Sequence, residues 1–103
     1  MKTIPKVVGL TWFKDEGDFK KALSLFDNAA AEMPLTYEDF LIVFDEAMKK
    51  VRDEGLIPIK AEIDPESFLS WCRARNVKSD HWGRLLFCNE TAVSYLRSRG
   101  FVD

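Results

Sequence analysis

The stretch from Thr36 to Ile63 constrains this chain more than any other, because it reads as one long amphipathic helix, a glycine stop and a short alternating strand. Tyr37, Phe40, Leu41, Phe44, Ala47, Met48 and Val51 recur at helical spacing and are all apolar, the pattern of a helix face turned to a core. Glu38 and Asp39 occupy the first turn and Lys49, Lys50 and Arg52 lie near the end, which complements the helix dipole. Thr36 is placed to cap the first turn through its hydroxyl, and Gly55 supplies a left-handed stop after which Leu56 folds back. At 1.5 Å per residue the helix spans roughly 30 Å, about the width of a small domain. After it, Ile57, Ile59, Ala61 and Ile63 alternate with Pro58, Lys60 and Glu62, which gives a strand with one buried and one wet face. Pro58 cannot donate to a ladder, so this strand belongs at a sheet edge or begins there.

The remaining segments fit around that unit. Val7 to Phe13 is rich in β-branched and aromatic residues and forms the expected first strand. Neither of its faces is polar, so both should be covered. Asp15 or Asp18 can cap a helix whose apolar stripe is Phe19, Ala22, Leu23 and Phe26, and Ala29 to Ala31 either continue it or form a compact loop before Pro34. Asp64-Pro65-Glu66 opens a third helix carrying Phe68, Leu69, Trp71 and Cys72 and ending near Asn76. Ser79 or Asp80 opens a fourth, with Trp82, Leu85, Leu86, Asn89, Val93 and Leu96 as its expected inner line and Gly100-Phe101 as its stop.

The expected order is therefore β-α-α-β-α-α, an α+β fold in a single domain over residues 1–103. If each short connection reverses direction, the two strands pair antiparallel and four helices pack on the two-stranded sheet. Because Pro58 marks the second strand as an edge and the first has one partner within the chain, the first strands of two copies are expected to pair. That makes a homodimer through Val7 to Phe13 with a four-stranded sheet; the alternative is a monomer whose first strand is hidden by a helix or by the N-terminal residues.

Composition excludes several function classes. Hydrophobic residues are 47% and charged residues 31%, a globular balance, and the net charge of −2 provides no global field for nucleic acid or anionic lipid. Residues 1–64 carry −4 and residues 65–103 carry +2, too small an asymmetry to name a partner. Met1 to Val8 with the short apolar run behind it does not make a signal peptide, and no run is long enough for a membrane span. Cys72 and Cys88 lack the spacing of a zinc or redox pair, so a reduced, cytoplasmic setting is expected and no cofactor is implied.

Trp12-Phe13, Pro34 with Thr36-Tyr37-Glu38-Asp39-Phe40, Ile63-Asp64-Pro65-Glu66-Ser67-Phe68 followed by Trp71-Cys72, and Gly83-Arg84 with Phe87 resemble a group of small uncharacterised bacterial proteins. The resemblance covers roughly residues 9 to 95, with Phe40 standing where that group carries Trp. It implies a bacterial, cytoplasmic origin and no reaction, ligand or partner.

Candidate chemistry concentrates between the last two helices. Cys72 with His81 would be a nucleophile and base if the hairpin brought them together, although no third orienting group accompanies them. Cys72, Asp80, His81 and Cys88 match no zinc spacing. Trp71, Arg73, Arg75, Lys78, His81 and Arg84, with Trp82, form the expected partner or ligand surface, in which cations could track a phosphate backbone and aromatics stack bases. Arg73 and Arg75 point to opposite sides of a helix, which spoils a single basic stripe. Asn89 is the one amide in an apolar line, and a buried amide needs a partner. The acids at Asp15, Glu16 and Asp18, and at Asp53 and Glu54, serve as caps and surface charge. The leading expectation is a non-catalytic, self-associating or partner-binding domain. The alternatives are a small-ligand or hydrolytic site using Cys72, His81 or Asn89, and weak nucleic-acid binding through residues 71–84.

Overall fold

The computed structural model describes residues 3–102; Met1 and Lys2, part of the N-terminal segment considered above, lie outside the described residues, as does Asp103. The elements are β1 (Val7–Trp12), α1 (Glu16–Leu25), α2 (Ala29–Glu32), α3 (Tyr37–Asp53), β2 (Ile57–Glu62), α4 (Pro65–Ala74) and α5 (His81–Ser98).

Local chemistry sets their ends. The Asp15, Thr36, Asp64 and Asp80 side chains each accept from a backbone N–H three residues on, at 2.8 to 3.1 Å, and so satisfy a free amide of the first turn. For α1 and α5 this selects Asp15 over Asp18 and Asp80 over Ser79. Gly55 stops α3 at φ 77°, and the Leu56 N–H folds back to the Val51 carbonyl at 3.1 Å. Gly100 repeats the device, with the Phe101 N–H donating to the Leu96 carbonyl at 2.9 Å.

β1 and β2 pair in parallel, Val7 beside Ile57 and Trp12 beside Glu62, which corrects the expected antiparallel pair; among the described residues the helices number five, not four. The physical reason is that only one of the connecting helices lies on the sheet. α1 packs against α2, α3 and α4, and the four-residue α2 is a single turn. Of the helices between the two strands, α3 alone spans the sheet: Phe40 and Phe44 meet Trp12 at the end of β1, and its far end feeds Ile57, beside Val7. One reversing helix between two strands makes them parallel, as in any crossover connection.

The sheet is covered on both faces, as the apolar sequence of β1 requires. Trp12 meets Phe40 and Phe44 of α3, and on that face Lys60 Nζ sits 4.1 Å above the indole. On the other face α5 lies so close that a Cβ at Gly9 would collide with the Cys88 carbonyl, and Thr11 Oγ1 is 3.4 Å from Cys88 Sγ. At one end of the sheet Phe13, Phe19, Phe26, Phe40 and Phe68 form the aromatic heart of the core, with ring centroids 5.0 to 6.4 Å apart between neighbours.

α5 presents a second correction. The expected inner line is its outer one: Trp82 is 71% exposed, Leu85, Leu86, Val93 and Asn89 are exposed, and Leu96 is half-buried. Arg84, Cys88 and Ala92 face inward instead. The close approach over Gly9 favours a small side chain at Cys88, while Arg84, one turn earlier, is buried against Glu32.

Candidate functional site: the open edge of the first strand

The ladder is fixed at its two ends by Ile57 N–H donating to the Lys6 carbonyl at 2.9 Å and Ile63 N–H donating to the Trp12 carbonyl at 2.8 Å. Since the N–H and C=O of one residue in a strand point to the same side, Lys6, Val8, Leu10 and Trp12 address β2. Val7, Gly9 and Thr11 therefore turn their backbone groups to the outer edge, and among the described residues no third strand takes them. On β2 the same alternation turns Pro58, Lys60 and Glu62 outward, so the proline ring removes no ladder bond.

Beside the outer edge of β1 lies a cleft of about 210 Å³ between α3 and the start of α5. Its floor is Leu10, Thr11 and Phe13; one wall is Phe40, Val43, Phe44 and Ala47; Met33 and Pro34 close one end. The remaining lining is polar, namely Glu32, His81 and Arg84. Arg84 is only 6% exposed and is held by Glu32 Oε1 at 3.2 Å and by the Ser79 carbonyl at 3.4 Å. The His81 backbone N–H donates to the same Glu32 oxygen at 2.9 Å. Ser79 is itself fixed by Asp27, whose N–H donates to Ser79 Oγ and whose Oδ2 accepts from the Ser79 N–H and hydroxyl. The turn before α5 is thus tied to the end of α1, which carries Arg84 into the cleft.

The exposed side of α5 continues this wall. Leu85 is one turn beyond His81 and so shares its side, and Trp82, Asn89 and Val93 adjoin it. The opposite side of α5 meets α4, with the Phe87 ring 5.3 Å from Trp71 and Glu90 paired to Arg75 at 3.3 Å.

The sequence-predicted surface is partly dispersed. Arg75 lies over Trp71 at 4.1 Å and pairs with Glu90, while Trp71 is half-buried against Phe68 and Phe87. Arg84 is turned inward to Glu32, Arg73 borders a second cleft with Cys72, and Lys78 is exposed on the intervening turn. His81 and Arg84 are the two members brought together, by a cleft that the sequence did not reveal.

Cys72 and His81 line different clefts, and Asn89 is exposed, so the candidate ligand or hydrolytic group of three is not assembled. Burial pushes the Cys72 thiol up, with the Asp27 and Asp80 carboxylates acting in the same direction. Burial likewise raises Cys88, against the opposing hydrogen bond from Thr11, so both sulfurs favour the thiol and not the nucleophilic thiolate. The Ser67 hydroxyl and N–H hold the Asp64 carboxyl below its usual range, as befits a cap. Among the described residues no three of His, Cys, Asp and Glu are placed to hold a metal ion.

The residues of the candidate site that sequence reasoning missed are Glu32 and Val43. Glu32 sits in a segment read as loop or helix end, and nothing local signals its reach to Arg84. Gly9 did carry a signal, because a glycine within an apolar strand marks a close backbone approach. Among the described residues no helix is long and apolar enough to cross a membrane. No family model, curated protein or solved structure matches this chain.

Proposed function

We propose that this protein is a non-catalytic cytoplasmic module that associates with a second copy of itself through the outer edge of β1. The observation that carries the proposal is the open edge of Val7, Gly9 and Thr11, which lies beside the apolar wall of α3 and has neither charge nor proline among those residues to deter pairing. Two such edges related by a two-fold axis are self-complementary, and pairing them antiparallel gives a four-stranded sheet with the Pro58 edges outermost. A two-stranded sheet is marginal by itself, and a strand pair alone buries less than the roughly 1,600 Å² of a stable interface. Trp82, Leu85, Leu86 and Val93 on α5 and Val43 on α3 provide the additional apolar area beside that edge. The apolar periodicity of α5, unexplained by the fold of one chain, then has a role.

Two observations argue for a binding rather than a catalytic role: both thiols are pushed toward the protonated form, and Cys72 and His81 are in separate clefts. Free, buried cysteines suit the reducing cytoplasm. Sedimentation at micromolar concentration tests the association: the expected mass is twice the 11.9 kDa of one chain, and a mass of one chain throughout would sink it.

A further inference from the structure

The cleft at the Thr11–Phe13 end of the edge has chemistry that strand pairing does not use. It is smaller than the roughly 300–1,000 Å³ of sites for drug-sized ligands, so its occupant is small. Most of its lining is apolar, yet one end carries a single cation and a single carboxylate side by side. Both the Arg84 and the His81 bonds converge on Glu32 Oε1, and no bond among the described residues engages Oε2. A guanidinium has five N–H donors, and the two contacts that hold Arg84, at 3.2 and 3.4 Å, leave donors for another acceptor.

We propose that this cleft binds a small apolar α-amino acid as its zwitterion. The α-carboxylate takes the free donors of Arg84, the α-ammonium donates to Glu32 Oε2, and the side chain lies among Phe40, Val43 and Phe44. A carboxylic acid without an amine would face Glu32, and an amine without a carboxylate would face Arg84. Only a ligand carrying both charges matches both groups without displacing either. The cleft shares Thr11 and Val43 with the self-association surface, so its binding is read on single chains.

The test titrates L-leucine, 4-methylpentanoate and 3-methylbutylamine into protein at submicromolar concentration, where single chains prevail, and follows the rise in thermal midpoint that binding brings. Leucine should bind saturably, and each singly charged analogue about tenfold or more weakly, since each lacks one charge-assisted bond. Val43→Trp fills the cleft from a half-exposed position and should abolish binding. Glu32→Gln keeps an acceptor for the His81 N–H and should shift preference from leucine to 4-methylpentanoate. No saturable leucine binding up to about 10 mM, well beyond the range expected of a specific site, overturns the proposal. So do equal affinities for all three compounds, or undiminished binding by Val43→Trp. The sedimentation mass, read at micromolar concentration without ligand, reports the association separately, so the two proposals fail by different results.

Discussion

β1 and β2 are paired over the same six residues each, yet their outer edges carry opposite chemistry. The β2 edge presents Pro58, which offers no N–H, and then the charged residues Lys60 and Glu62. The β1 edge presents Val7, Gly9 and Thr11, uncharged and able to donate and accept along its length, beside the apolar wall of α3. Natural sheets guard the edges that must stay single with proline and charge. The β1 edge carries no such guard, and that difference is what the proposed self-association rests on.

The comparison can be broken from either side. The largest effect is expected from Val43→Arg, which sets an unpaired charge into the wall beside the β1 edge. Association should weaken by at least about 2 kcal/mol, while thermal stability of the chain moves little because Val43 is 50% exposed. Unchanged sedimentation of that variant would detach the cleft from the interface. Gly9→Ala tests the close approach of α5 to β1. Its Cβ would meet the Cys88 carbonyl, so thermal unfolding should show a loss of about 1 to 3 kcal/mol; an unaltered midpoint would mean that α5 yields easily.

Trp82→Ser sharpens the role of the exposed α5 face. Removing a side chain that is 71% exposed should leave the stability of one chain within about 0.5 kcal/mol but weaken association by about 1 kcal/mol or more. Pro58→Thr should have the smallest effect. Its restored N–H faces outward, so it mends no ladder bond, and stability should change by under about 0.5 kcal/mol with the particle still two chains. Growth beyond two chains would show that Pro58 alone closes the β2 edge.

Much of this architecture was legible because it is local. The Thr36 cap, the Gly55-Leu56 stop, the Asp64-Pro65 opening and the apolar face of α3, apart from the exposed Leu41, each depend on neighbours within a turn or two. Strand direction was not legible, because it depends on whether α1 or α3 covers the sheet, and both have helical stripes. The inward face of α5 was misread for a related reason: hydropathy favours Trp82, Leu85 and Leu86, whereas the approach over Gly9 favours a small side chain at Cys88 and Arg84 is buried against Glu32. Of the candidate surface, His81 and Arg84 were identified from sequence, but the Glu32 carboxylate that joins them to the cleft comes from 49 residues before His81. No local pattern encodes a contact of that range.

The most direct test of the open edge is backbone amide exchange at Val7, Gly9 and Thr11 as protein concentration is raised, with Val8, Leu10 and Trp12 as controls already paired to β2. The expected result is slow exchange of the three controls at every concentration and protection of Val7, Gly9 and Thr11 that grows with concentration. Fast exchange of those three at all concentrations, beside protected controls, would contradict pairing through this edge.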